Sequence, residues 1–434
     1  MIFTSTRDSS LSVKFSEAVN KCIPGDGGVF IPSPNSIVDL RRWIYYINER
    51  TTFKSIAGTL TSAFIQDEFS PIICEKIATE AFPFEPVITQ LEENLFHMDL
   101  SNGYTGCHRD YGVSYLCSYL NSTNTLLGRK SLFLDFTHGE MGPLLAKNLR
   151  GKKNIKAILV YQKGTVRGLE EEDLFWNGGN IYPVEVEGSE EQIKEMISSI
   201  FEDKEFVQKY NLTVSNTTNI CRLLAQVFYY PYSFSRIKNK VDGDIYYACD
   251  AGNYAALMAG LYSWRFSMPL SGIFLPSTEK LSCSEEGEPV LLDSAIDKKM
   301  DINPTYPANL ERLESFFENN KLMMKHFVFP SEISKKQNEA AAKELYKKYN
   351  LFADSETASA YAVIKEYQDE VMDDGGAFVL ISQNHPSLSS DYCKEVIGKV
   401  PEMPENILKS LKKVNLNRQI LNNSEDIRKI IKSI

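Results

Sequence analysis

Several short stretches of this chain carry residue types suited to holding an anion. Gly252-Asn253 stands directly before an apolar helical stretch, where free backbone N–H groups and the positive end of the helix dipole attract negative charge. The same glycine also reads simply as the residue that permits a tight turn. Two more loops follow short apolar segments, Thr137-His138-Gly139-Glu140-Met141-Gly142 and Ser382-Gln383-Asn384-His385-Pro386. Arg312 has a guanidinium whose geometry suits a phosphate, with Asn309 one helical turn before it. Either can equally cap a helix or pair with Glu311 or Asp301. Arg109 offers a cation that stays protonated, and His108 beside it is either a base or a packed ring, the second being the commoner role of a lone histidine. Arg222 and Gln226 fall within a helical stretch and read as structural.

Those loops need elements to position them. Ser131–Phe136, Ile155–Tyr161, Asp244–Cys249 and Gly376–Ile381 are short, nearly continuous apolar runs, each followed by a polar or glycine-containing loop. Such strands, alternating with helices, predict parallel sheets covered on both faces, with ligands gathered at the carboxyl ends of the strands. Ser189-Glu-Glu-Gln192 has the spacing of a capping box. Behind it, Ile193, Met196, Ile197, Ile200 and Phe201 recur on one helical face, and Ile220, Leu223, Leu224, Val227 and Phe228 repeat the spacing. Both stripes read as core. Ser282–Pro289 reads as an exposed loop, and the first ~80 residues, with a turn at 24–28, as a separate small lobe.

Composition narrows the class. At 434 residues the chain exceeds one ordinary core and implies two or three domains, and its 43% apolar content is that of a globular protein. A net charge of −10, with no clustered basic stretch interleaved with aromatics, argues against nucleic acid. The lysines from Lys409 to Lys432 read as a solvated helix face. Eight cysteines lie scattered with no C-x-x-C pair, so no metal site is expected, and they read as reduced, mostly buried thiols. No secretory signal is apparent, and the apolar stretch near Ala255–Trp264 falls well short of the about 20 residues a bilayer span requires. The expectation is a cytoplasmic protein with no membrane partner; the oligomeric state is open.

The residues also resemble a known family. Ser5-Thr-Arg7 and Asp26-Gly-Gly-Val-Phe-Ile-Pro32, the stretch Asp99–Gly112 around Arg109, Thr137–Gly142, Asn216–Tyr230, Gly252-Asn-Tyr-Ala-Ala256, Met300-Asp-Ile302 with Pro307–Arg312, Asp354–Ala358 and His385-Pro386 are similar, in order and spacing, to motifs of the threonine synthases. The resemblance implies an α/β, fold-type II pyridoxal-phosphate architecture, with two parallel-sheet domains and a small N-terminal lobe. The expected units are a lobe over 1–80, a large cofactor-type domain over 81–125 and 232–434, and a smaller α/β domain over 126–231. It implies pyridoxal phosphate as cofactor and a reaction converting O-phosphohomoserine and water to threonine and phosphate. Carried over by position, Gly252, Asn253, Tyr254, Ala255, Ala256 and Gln383 would meet the cofactor. Thr137, His138, Gly139, Glu140, Met141, Asn309 and Arg312 would meet the substrate.

One departure dominates. Arg109 stands where the family has the lysine that bonds covalently to the cofactor, and a guanidinium supplies no free amine. Other site positions drift with it. His138 and Met141 replace small hydroxyl residues, Ala255 and Ala256 replace Gly and Asn, Glu356 replaces a histidine, Ala308 a serine and Gln383 a threonine. The nearest lysine downstream, Lys130, heads a strand. The expectation is a threonine synthase-like chain without the family activity, binding an anionic small molecule or amino-acid phosphate with Arg109 as anchor and any pyridoxal phosphate held noncovalently. Two alternatives stand beside it: an enzyme of altered chemistry using noncovalent cofactor, and a regulatory partner protein.

Overall fold

The strand–loop–helix repeats close into two parallel sheets. In the computed structural model, which describes residues 1–36, 38–65, 68–137, 139–174, 179–291, 300–317, 320–373 and 375–434, an N-terminal sheet comes first. Its strands β1 (Ile2–Ser5), β2 (Val13–Lys14) and β3 (Phe30–Pro32) run antiparallel in the order β2-β1-β3. Next come β4 (Val87–Glu92) and β5 (Leu95–Asp99), then β6 (Ser131–Phe136), β7 (Ile155–Gln162), β8 (Ile181–Val186) and β9 (Leu212–Thr213). The chain continues through β10 (Ile245–Ala248), β11 (Gly272–Pro276), β12 (Leu281–Cys283), β13 (Pro289–Leu291), β14 (Val328–Ser331) and β15 (Ala377–Ser382).

The smaller sheet, ordered β8-β7-β6-β9, is wholly parallel. The larger, ordered β14-β11-β10-β15-β5-β4, is parallel except for its edge strand β4. Side chains alternate between two cores, as burial on both faces requires. In β15, Val379 and Ile381 join one apolar cluster while Phe378 and Leu380 join another. In β6, Phe133 points to the first of these and Leu132 and Leu134 to a third.

The helices follow the sequence pattern. Ser189 and Gln192 close the capping box, with Gln192 N donating to Ser189 Oγ at 3.3 Å and Ser189 N to Gln192 Oε1 at 2.8 Å. Ile193, Ile197, Ile200 and Phe201 of the helix Glu190–Phe201 are buried. The stretch 220–228 differs from an amphipathic stripe. A short α-helix, Ile220–Leu224, tightens into a 3-10 turn, Ala225–Phe228, and every residue of both is buried. Of Ser282–Pro289, expected as an exposed loop, 284–288 form the turn of a β12–β13 hairpin with 285–287 exposed, while its two ends belong to the strands. The N-terminal segment has its own sheet but no separate core. Phe53 and Phe82 pack on Tyr111, Tyr115 and Phe228, so burial of aromatic surface fastens it to the helix Arg109–Leu127. The eight cysteines carry no disulfide and all but Cys283 are buried. Among the described residues no helix is long and apolar enough to cross a membrane.

This topology decides which loops meet. β5, β15 and β10 are neighbours, so the segments leaving their carboxyl ends, at 100–108, 383–385 and 249–254, lie side by side. β6 and β9 are neighbours in the other sheet, and their carboxyl ends deliver 137, 139–140 and 214–219.

Candidate functional site

The two sets of loops enclose a cavity of about 390 Å³. Arg109, Gly252, Asn253, Ala255, Glu356 and Gln383 line it from the larger sheet's side, and Asp135, Met141, Ser215 and Thr217 from the other.

Arg109 opens the helix Arg109–Leu127. Its loop is held by Asp110, whose carboxylate accepts from Thr105 N at 2.9 Å, Thr105 Oγ1 at 3.0 Å and Cys107 N at 3.4 Å. Burial nevertheless raises the Asp110 pKa to about 6. Arg109 Nη1 donates to Cys107 Sγ at 3.2 Å and forms an ion pair with Glu140, which precedes the helix Met141–Leu149. That pair ties a loop of one sheet to a loop of the other. The proposed anchor therefore already has an anionic partner within the chain. Burial first, then the guanidinium groups of Arg109 and Arg222, push the His108 imidazole well below its ordinary range. Held neutral, it is too weak a base to take a proton near neutrality, which supports its reading as a packed ring.

The floor holds the residues that sequence reasoning set aside. Arg222 and Gln226 both line the cavity. Arg222 Nε and Nη1 and Gln226 Nε2 are buried without a hydrogen-bond partner, although the two residues are only 3% and 2% exposed. Gly112 makes the room, since a Cβ there would stand 2.0 Å from Arg222 Nη1. Burial pushes the Arg222 pKa down to about 10, so it remains a cation. Asp135, on the same floor, accepts from Ser215 N and Ser215 Oγ through Oδ1 at 3.0 Å each. Its Oδ2 is unpartnered, and burial lifts its pKa to about 6. The available signal was spacing: Arg222 and Gln226 are i and i+4 polar residues inside an otherwise apolar run, an arrangement that buries them on one side. Lys194 also lines the cavity, bound to Glu190 one turn away; nothing in its stretch of sequence points there.

The glycine loop has a specific shape. Gly252 adopts φ +41° and Tyr254 φ +62°, the second unusual for a bulky residue. Tyr254 is held by its N–H on Ala251 O at 2.7 Å and by its hydroxyl, 2.7 Å from Thr278 Oγ1. Asn253 Oδ1 accepts from Ala255 N at 3.2 Å as the helix Ala255–Arg265 begins. Asp250 lies beneath the loop, its Oδ2 3.1 Å from where a Gly252 Cβ would stand. Burial raises its pKa, against the backbone N–H groups of Gly252 and Ala251. At the mouth, Glu356 Oε2 accepts from Asn384 Nδ2 at 2.7 Å. Burial, then the charges of Asp354 and Asp250, lift the Glu356 pKa to about 7.

Other expected residues sit behind these. Tyr254, Ala256, Thr137, Gly139 and Glu140 adjoin the cavity without lining it; His138 lies outside the described residues. Asn309 and Arg312, read as candidate substrate ligands, are scaffold on this side. Arg312 is fully buried. Its Nε donates to Phe30 O at 3.1 Å, Nη1 to Thr217 O at 2.6 Å and Asn309 Oδ1 at 2.8 Å, and Nη2 to Thr218 O at 2.7 Å. Asn309 Nδ2 donates in turn to Thr217 Oγ1 at 2.8 Å and Asn253 O at 3.1 Å. With their donors answered by the wall of the cavity, they shape it from behind.

Comparison with known proteins agrees with this frame. Residues 2–82 match the family description "Threonine synthase N terminus". Threonine synthase of Buchnera aphidicola is 26% identical over 405 residues, covering 91% of each chain. That of Escherichia coli is 22% identical over 409 residues, covering 92% of each. Along nearly its whole length the chain is similar to the threonine synthases. Its architecture is that of the fold-type II enzymes. The Escherichia coli threonine synthase structure superposes with a TM-score of 0.76 at 20% identity, covering 100% of both chains. A pyridoxal-phosphate-bound threonine synthase from Brucella melitensis gives 0.79 at 16% identity, covering 100% of this chain and 99% of that one. At such identities the likeness is one of fold, and the threonine synthase-like chain's own residues carry the functional argument.

Proposed function

We propose that this threonine synthase-like chain binds an anionic small molecule in the cleft and does not perform the family's lysine-dependent formation of threonine. The observation that carries the reading is the unpartnered pair of buried donors on Arg222, beside Gln226. The carboxylates of Asp135 and Asp110 offset part of the Arg222 charge, but donors buried without acceptors are costly, and an anionic ligand supplies an acceptor. Arg109 supports the second half: it occupies the head of the helix Arg109–Leu127 with a group that offers no free amine.

Pyridoxal phosphate, which supplies an electron-withdrawing ring when bound, fits this site as a noncovalent guest. Gly252 and the start of the helix Ala255–Arg265 would meet its phosphate, most readily with Asp250 protonated. Gln383 and Asn384, both lining the cavity, would bond polar atoms of the ring. No covalent bond to residue 109 follows.

The test is spectroscopic. Pyridoxal phosphate added to the purified protein is expected to give no new visible band, and borohydride treatment followed by peptide mapping to leave every lysine, Lys194 included, unmodified. The Arg109→Lys variant is expected to gain a band and a borohydride-trapped adduct at position 109. Titration with propylphosphonate is expected to show saturable binding that Arg222→Met abolishes. Threonine formation from O-phosphohomoserine by the unaltered protein, or a cofactor adduct on Lys194, would overturn the reading.

A further inference from the structure

A second cavity, of about 960 Å³, lies between the N-terminal sheet and the helices Ala255–Arg265 and Asn309–Phe317. It shares no lining residue with the cleft. Ala255 lines the cleft and Arg265 the second cavity, so the two ends of one helix, about 16 Å apart, serve the two spaces. The lining is charged in one sense only: among the described residues it holds three arginines, Arg7, Arg265 and Arg312, and no carboxylate. Two of the three are answered. Arg7 meets Glu311 through Nε at 3.0 Å and Nη2 at 2.9 Å, and Arg312 is bonded to carbonyls and Asn309. Arg265 is not. Its guanidinium rests 4.9 Å from the Phe316 ring centroid. The carboxyl end of its helix favours a cation, yet the guanidinium makes no hydrogen bond or ion pair with a described residue, and no carboxylate is among the groups that perturb it. Asp39, which reaches Ser267 at the rim, is taken up by Arg41. Beside Arg265, Tyr262 is 1% exposed and its hydroxyl is buried without a partner. The charges that act on that hydroxyl are the guanidinium groups of Arg312 and Arg265. A half-buried cation and a buried hydroxyl, both without acceptors, are costs that the chain's own residues do not relieve.

We propose that this second cavity binds a small organic acid, its carboxylate against Arg265 and the Tyr262 hydroxyl and its hydrocarbon body against Ile31, Pro34 and Met323. The chemistry follows from the groups present. A guanidinium resting on an aromatic ring presents its N–H groups as a fixed fork, which fits the two oxygens of a carboxylate. The Tyr262 hydroxyl donates one further hydrogen bond. Ile31, Pro34 and Met323 line the same cavity and offer apolar surface to a chain or ring. Only one of the three arginines has donors to spare, so one negative charge is matched and a second would stay unpaired. The cleft differs in kind, since Asp135, Asp250 and Glu356 all line it. Recognition here is ionic and noncovalent, and it requires neither the cleft nor its ligand.

Calorimetric titration of the full chain with 4-phenylbutyrate and with 4-phenylbutanol isolates the carboxylate, because the two share the hydrocarbon body. The acid is expected to bind about tenfold more tightly, the gain expected of a charge-assisted hydrogen bond at a half-buried site. Arg265→Gln should remove that preference. Tyr262→Phe, which deletes one hydroxyl, should reduce it about threefold, and the alcohol should bind all three proteins alike. Near-UV circular dichroism confirms that each variant is folded, and Tyr262→Phe alone decides the matter if Arg265→Gln is not. Arg222→Met, which alters the cleft, should leave the acid's affinity unchanged. Equal affinities of acid and alcohol for the unaltered protein, binding of neither, or a preference that either folded variant keeps in full would overturn the proposal. Loss of acid binding in Arg222→Met would place the acid in the cleft and overturn it too, while leaving the anion reading of the cleft standing.

Discussion

Two buried arginines stand in the same part of the molecule and do different things. Arg312 sits behind the cavity wall with all three nitrogens bonded, to the carbonyls of Phe30, Thr217 and Thr218 and to Asn309. Arg222 sits under the cavity floor with Nε and Nη1 bonded to nothing. Burial lowers the pKa of both, so desolvation does not tell them apart. Acceptors do. A buried cation ringed by carbonyl oxygens is a structural clasp joining the N-terminal sheet to the loop after β9. A buried cation at a cavity, with two donors left unanswered, is the group that the proposed anionic ligand would meet.

The contrast can be broken most forcibly at Arg312. Arg312→Met should leave the carbonyls it serves buried and unanswered, destabilising the protein by on the order of 3 kcal/mol or more. The loss would appear as a lower urea midpoint at unchanged slope. Arg222→Met is the control. Replacing a partly compensated buried charge by an apolar side chain of similar length should change stability by only about 1 kcal/mol, in either direction, in the absence of ligand. Equal destabilisation by the two substitutions would show that Arg222 is scaffold as well.

A smaller effect sharpens the same contrast at the mouth. Glu356 has its pKa raised from 4.5 to about 7, so between those values the native state holds a proton that the unfolded chain releases. Protein stability should therefore fall as the pH rises through that window, and Glu356→Gln should flatten that part of the profile. The size is modest because the side chain, packed at the cavity rim on one side, is open to solvent on the other. Thermal unfolding of both proteins across the window measures it. Parallel profiles would mean that Glu356 ionises as an ordinary surface carboxylate.

Much of the scaffold was legible in the chain. The near-continuous apolar runs at 131–136, 155–161 and 376–381 became the central parallel strands β6, β7 and β15, and Ser189 with Gln192 formed the expected box. These signals are local: side-chain periodicity and the reach of one hydroxyl to an amide a turn away. The loops at 137–142, 250–256 and 382–388 were also readable as strand ends. What misled was the assignment of roles to individual polar residues. Arg312, read as either a phosphate ligand or a structural residue, is answered by three backbone carbonyls and Asn309, while Arg222, read as structural, lines the cavity. Lys194 gave no sign of reaching the cavity at all.

By itself, the order of residues determined the two parallel sheets, the loops at their carboxyl ends, and the absence of an amine at position 109, because strand patterning and side-chain chemistry belong to residues wherever they lie. Only the tertiary structure decided which polar groups are satisfied. Arg222 and Arg312 are chemically identical, and their difference arises from acceptors supplied by segments up to hundreds of residues away, such as Phe30 beneath Arg312. Hydrogen bonding is a short-range, directional interaction between groups that the fold brings together, and that is why the two roles separate only in three dimensions.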